Sequence, residues 1–112
     1  MAGFNKGGMG GAGMQNLMKQ AQKMQEEMQE TEKMLDEWEI VGTAGGEAVV
    51  VYMNAKKIID GIEIDKSVID PEDEEMLEDL IMAAILDGYK KADEVYKEKM
   101  GKFSAGGMGG LF

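Results

Sequence analysis

The sequence predicts an α+β fold in two layers: a long helix, a three-stranded antiparallel meander, and a second long helix with a candidate kink at Gly88. Three observations carry this. A heptad-spaced apolar seam runs without Gly or Pro from Met14 to Trp38. Three short runs rich in Val and Ile follow, separated by Gly and Asn turn residues. An Asp-Pro step then opens a second helical pattern. Gly-rich ends flank these elements and share the pentapeptide GGMGG. Because Gly loses the most entropy on ordering, the expected organisation is a flexible tail over 1–13, one α-β-β-β-α domain over 14–103 and a flexible tail over 104–112. Gly8, Gly10 and Gly13 formally spell GxGxxG, but no strand precedes them and no βαβ unit follows, so a dinucleotide site is rejected.

The first helix is expected over Met14–Trp38. Met14, Leu17, Ala21, Met24, Met28, Thr31, Leu35 and Trp38 alternate in steps of three and four, which makes one narrow stripe that another helix must cover. The intervening Gln, Glu, Lys and Met are strong helix formers. At 1.5 Å per residue the helix is about 35 Å long, more than a small domain can wrap, so part of it is expected to project. Leu17, Ala21, Met24 and Met28 are candidate packing residues for the core or a dimer contact.

Trp38 to Val41 alternates and starts the first strand; Gly45 and Gly46 supply the positive φ of a hairpin turn. The second strand, Glu47–Asn54, is apolar on both faces from Ala48 to Met53. It is expected at the centre of the sheet, or against a partner chain, with Val49 and Val51 in the core. Lys57–Asp65 forms the third strand, with Ile58, Ile62 and Ile64 sharing a face with Asp60 and Gly61 marking a candidate bulge. Asp70 is expected as the N-cap of the second helix, with Pro71 at its first position and Glu72, Asp73, Glu74 and Glu75 complementing the positive helix end. Capping accounts for these acids, and no calcium-loop spacing is present. Leu77, Leu80 and Ile81 are expected to pack on the sheet, while Tyr89, Ala92, Tyr96 and Phe103 continue a narrower seam suited to pairing with the first helix.

Composition bounds the function. The chain has no Cys and no His, which removes disulfide frameworks, thiolate or imidazole zinc sites and Ser-His-Asp chemistry. Cys absence suits a reducing cytoplasm. No apolar run approaches the ~20 residues of a membrane span. No constellation of nucleophile, base or phosphate loop emerges, so neither an enzyme nor a bound cofactor or metal is expected. The formal charge is −10, unevenly spread. Residues 1–25 carry Lys6, Lys19 and Lys23 and no acid; residues 88–112 are net +2; residues 26–87 are net −15. All twelve basic residues are Lys, a point charge that suits phosphate, whereas bidentate base reading favours Arg. Lys19 and Lys23, one turn apart on one helical face, are therefore the best binding candidates, followed by Lys90, Lys91, Lys97, Lys99 and Lys102.

The chain resembles the YbaB/EbfC family of bacterial nucleoid-associated proteins. The resemblance rests on the Gly-rich opening and NLMKQAQKMQEEM (16–28), VGTAGGEAVVVYMNAKK (41–57), IEIDKSVIDPEDEEMLEDLIMAA (62–84) and KEKMG (97–101), in order over nearly the whole chain. It implies helix, three strands and helix in a tweezer-like homodimer with projecting helical arms. It also implies duplex DNA as partner, bound on the arms, which points to Lys19, Lys23, Lys90, Lys91, Lys97 and Lys99. Dimerisation is expected independently, from the two-faced apolar strand and the uncovered seams. The expectation is thus a non-enzymatic, dimeric, nucleoid-associated protein that contacts DNA through phosphate with weak sequence preference. The rival is a client-binding dimer whose Met-rich arms grip a protein instead, with little affinity for DNA.

Overall fold

A computed structural model of the chain describes residues 3–103, with side chains from Gly13 onward. Its elements are α1 (Gly3–Glu37), β1 (Glu39–Ala44), β2 (Val49–Asn54), β3 (Ile59–Ile64), a short 3-10 turn η1 (Lys66–Val68) and α2 (Glu74–Phe103). The sheet is antiparallel in the order β1-β2-β3, so it is the expected meander with β2 at its centre. The α+β architecture is the predicted one.

Several boundaries differ from the sequence reading. Helical backbone begins at Gly3, ahead of Met14. Extending an established helix costs only about 1 kcal/mol per Gly relative to Ala and needs no new nucleus. The expected tail over 104–112 lies outside the described residues. Asp70 does not cap α2. Its carboxylate accepts from the Glu72 N–H (2.9 Å) and its carbonyl from the Asp73 N–H (3.0 Å), so Asp70 and Pro71 build a turn. Asp73 is the cap, accepting from the Met76 N–H (3.2 Å). In the third strand, Tyr52 pairs with Gly61 but Met53 pairs with Ile59, which leaves Asp60 as the extra residue of a bulge. The inserted residue reverses the alternation, so Ile59 rather than Ile58 joins Ile62 and Ile64 on one face.

Val49, Val51 and Met53 alternate inward along β2 and are fully buried with Leu35, Ala84 and Ala92. Leu77, Leu80 and Ile81 are half-buried against that cluster, as the helical spacing of α2 requires. α2 runs unbroken through Gly88. This glycine is a point of contact instead of a kink: a Cβ at Gly42 in β1 would lie 2.5 Å from Gly88 N and 2.8 Å from its Cα. Two glycines thus let a helix cross a strand nearly backbone to backbone. Gly45, Gly46 and Glu47 all hold positive φ in the β1–β2 turn, closed by the Ala48 N–H on the Gly45 carbonyl (3.2 Å). The β2–β3 turn is held by Asn54, whose Oδ1 accepts from the N–H groups of Lys56 (2.8 Å) and Ile58 (3.0 Å). The Ala55 N–H reaches the Leu35 carbonyl (3.2 Å) and ties this turn to the end of α1.

The molecule is long, 86 × 24 × 16 Å. The reason is α1. Its last turns pack on the body through Leu35, Thr31 and Met28, and the Lys102 ammonium lies 4.0 Å from the Glu27 carboxylate where α2 ends. From Glu27 back to Gly3 the helix overhangs the body by about 36 Å.

Candidate nucleic-acid interface

The overhanging arm carries the two lysines that the sequence singled out. Lys19 and Lys23 are exposed, and among the described residues neither meets a carboxylate, an aromatic ring or a backbone acceptor. No acid precedes Glu26, so the described part of the arm is purely cationic over Gly13–Gln25. The seam on the same arm is open: Leu17 is 65% exposed and Met14 and Met18 each 61%, with Met24 and Ala21 also exposed and Met28 half-buried.

The lysines of α2 divide into two groups. Lys91 is engaged within the chain. Its ammonium donates to the Val41 carbonyl (3.1 Å) and pairs with Asp87 one turn earlier (2.9 Å). Asp87 in turn accepts the Thr43 N–H (3.0 Å), and that bond, reinforced by Lys91, holds its carboxyl below the usual carboxylate range. The Asp87–Lys91 pair therefore caps outward-facing backbone groups of β1, an edge strand. Lys99 lies over the Trp38 ring, 5.3 Å from its centroid, and Lys102 over Phe103 at 4.9 Å. Lys90 and Lys97 are exposed and have no such partner among the described residues. Spaced by seven, they share one face of α2.

A further pair of lysines, absent from the sequence-based candidates, lines a cleft of about 400 Å³ with Glu32, Ala55, Asp93 and Tyr96. Lys56 is bonded to Asp36 (3.1 Å), which raises its pKa, and Lys57 to Asp93 (2.6 Å). Both charges are matched inside the chain, so the cleft offers an anion little. The acids Glu72, Asp73, Glu74, Glu75 and Glu78 cluster at the start of α2, where Asp73 is occupied in capping. Among the described residues, no group of three or more carboxylates converges as a metal site. No helix of the described chain is long and apolar enough to cross a membrane.

Asp87 and Gly42 were missed by the sequence reading. The first had a signal, its i,i+4 spacing to Lys91, and the second stood as an isolated Gly inside a strand pattern.

A model of the YbaB/EbfC DNA-binding family matches residues 9–108. The chain is 49% identical over 107 residues to a nucleoid-associated protein of Alkaliphilus metalliredigens, covering 94% of each chain. It is 50% identical over 104 residues to one of Clostridium novyi, covering 92% of this chain and 91% of that one. Among solved structures, it is similar to an uncharacterized protein of Helicobacter pylori at a TM-score of 0.68 and 26% identity, covering 78% of this chain and 91% of the other. By the extent of the family match and by these relatives, the chain belongs to the YbaB/EbfC DNA-binding family.

Proposed function

We propose that this protein is a dimeric, nucleoid-associated DNA-binding protein that holds duplex DNA through phosphate contacts from lysines on its helical arms, with a part in nucleoid organisation and gene regulation. The observation that carries the reading is the acid-free arm, with unpaired Lys19 and Lys23, overhanging a body of opposite charge. The body repels a polyanion and the arm attracts it, so contact concentrates at the arm. Lys90 and Lys97 join as secondary contacts. Lys91 and Lys99, engaged with Val41, Asp87 and Trp38, are the weaker members of the expected set. Without Arg the readout is of backbone and shape, so sequence preference is weak.

What one chain leaves uncovered supports the dimer. α2 lies over β1 and β2, and the helix-side face of β3 is left with Ile59 and Ile62 partly in solvent. Ile58, Met82 and Leu86 are exposed as well, at 61%, 58% and 64%. At the β1 edge, Asp87 and Lys91 occupy the Thr43 N–H and the Val41 carbonyl. Among the described residues no side chain caps the outer edge of β3, so β3 is where a second copy adds its own strand and covers this aliphatic surface.

A duplex-binding titration across salt tests the reading. Four arm lysines per dimer give a slope of log K against log salt of about −3.6; with Lys90 and Lys97 added it is about −7. Replacing Lys19 and Lys23 with Gln should flatten the slope by the arm share and weaken unrelated duplexes alike. An unchanged slope would remove the arm from the interface.

A further inference from the structure

α1 and α2 run antiparallel where they meet, and α2 ends before the arm begins. Along α2, Tyr96 shares a cleft with Glu32, and further on the Lys102 ammonium lies 4.0 Å from the Glu27 carboxylate. The axis of α2 therefore points on toward Met24, Ala21 and Leu17. The faces match as well. Leu17 and Leu35 are about five turns apart, so the exposed stripe of Met14, Leu17, Ala21 and Met24 continues the line on which Met28, Thr31 and Leu35 pack against the body. On α2, Phe103 falls within about 20° of the core residue Ala92 and is itself buried. The chain thus leaves α2 on the side that faces α1, at the point where the stripe becomes bare.

We propose that residues 104–112 of the same chain dock along this stripe and act as its cover. The sequence after Phe103 reads SAGGMGGLF. It carries no charge, so it neither competes for Lys19 and Lys23 nor meets the acids that begin at Glu26. Its bulk is confined to Met108, Leu111 and Phe112, and the glycines before and between them let backbone approach the helix closely. The reach fits. These nine residues span up to about 30 Å when extended, and Met14 lies about 20 Å of helix beyond Glu27. Met108 is then placed to meet Ala21 and Met24, and Leu111 and Phe112 to meet Leu17 and Met14. The thioethers of the stripe suit aliphatic and aromatic partners of this kind. Because the segment is tethered beside its site, its effective concentration is high even though the contact is small. Lys19 and Lys23, on the opposite side of the helix, stay in solvent. The contact goes beyond DNA binding and is read without DNA.

Cys is absent, so engineered pairs report proximity directly. Ala21→Cys with Gly109→Cys in one full-length chain should oxidise to a crosslink within that chain several-fold faster than Lys19→Cys with Gly109→Cys. Position 19 is as near to Phe103 along the helix as the tail can reach, but it lies on the far face. A non-reducing gel separates the crosslink within a chain from one between chains. Equal rates overturn the proposal, and so does a crosslink formed mainly between chains. Peroxide oxidation of the Cys-free protein is the second readout, followed by mass spectrometry. In a full-length chain carrying Met108→Ser, Leu111→Ser and Phe112→Ser, the Met14 and Met24 thioethers should oxidise several-fold faster than in the parent, while Met82, exposed on α2, keeps its rate. Unchanged rates at Met14 and Met24 would also overturn it.

Discussion

Gly42 and Gly88 meet where α2 crosses β1, and what each missing Cβ would strike sets its tolerance. At Gly42 the obstacle is backbone: the Ala84 carbonyl and the Gly88 N and Cα. At Gly88 the nearest atoms are the Cε and Sδ of Met53, the far end of a flexible side chain. Gly42→Ala should cost about 3 kcal/mol or more of stability, at the upper end of overpacking. Gly88→Ala should cost less than half of that, because Met53 can change rotamer and Ala gains about 1 kcal/mol of helix propensity. Chemical denaturation of the two variants checks the order, and equal costs would refute it. Asp87 offers a second test. Its pKa is depressed in the folded chain by the Thr43 N–H and Lys91, so its stabilisation is present above the unfolded carboxylate pKa and is lost as pH falls through the folded one. Asp87→Asn should be less stable than the parent at pH 7, with the gap closing at acid pH below that range. Hydrogen-exchange protection at Thr43 should fall in the same variant.

At the scale of elements, the helix start is where local signals competed. An Asp followed by Pro reads equally as an N-cap with Pro at the first turn or as a side-chain-closed turn, and the next acid decides between them. Asp73→Ala should therefore cost about 1 kcal/mol, and Asp70→Ala clearly less, since Asp70 closes only an exposed turn. Thermal melts rank the two. The same logic shows what the sequence could reveal. The seam of α1, the two-faced apolarity of β2 and the turn residues Gly45 and Asn54 express their structure within a few neighbours, so helix, meander and helix were legible. The bulge at Asp60 depends on register with Tyr52 and Met53, a pairing that local alternation does not encode. Lys91 was read as a free cation because its acceptor, the Val41 carbonyl, lies 50 residues away in sequence. Lys19 and Lys23 were legible as free because an arm with no neighbours leaves local sequence as the whole environment.

For the whole molecule, shape and charge act together. The 86 Å chain carries its cationic overhang far from the centre of an acidic body, so under the proposed function salt should weaken DNA binding while leaving the proposed dimer nearly untouched. Dimer contacts are expected among the aliphatics of β3 and α2. Ile62→Lys with Leu86→Lys should yield a folded monomer by light scattering at micromolar concentration, because both side chains are already solvated in the single chain. A dimer that persists would move the interface elsewhere. The Asp87–Lys91 cap on β1 has one more consequence. In the vocabulary of polymer chemistry, a sheet with two open edges is a bifunctional monomer and can grow without limit. Closing one edge makes it monofunctional, and the first coupling is also the termination step. In the proposed dimer, strand addition through β3 would stop at a six-stranded sheet, which would protect a chain with a Val-rich central strand from fibrous growth.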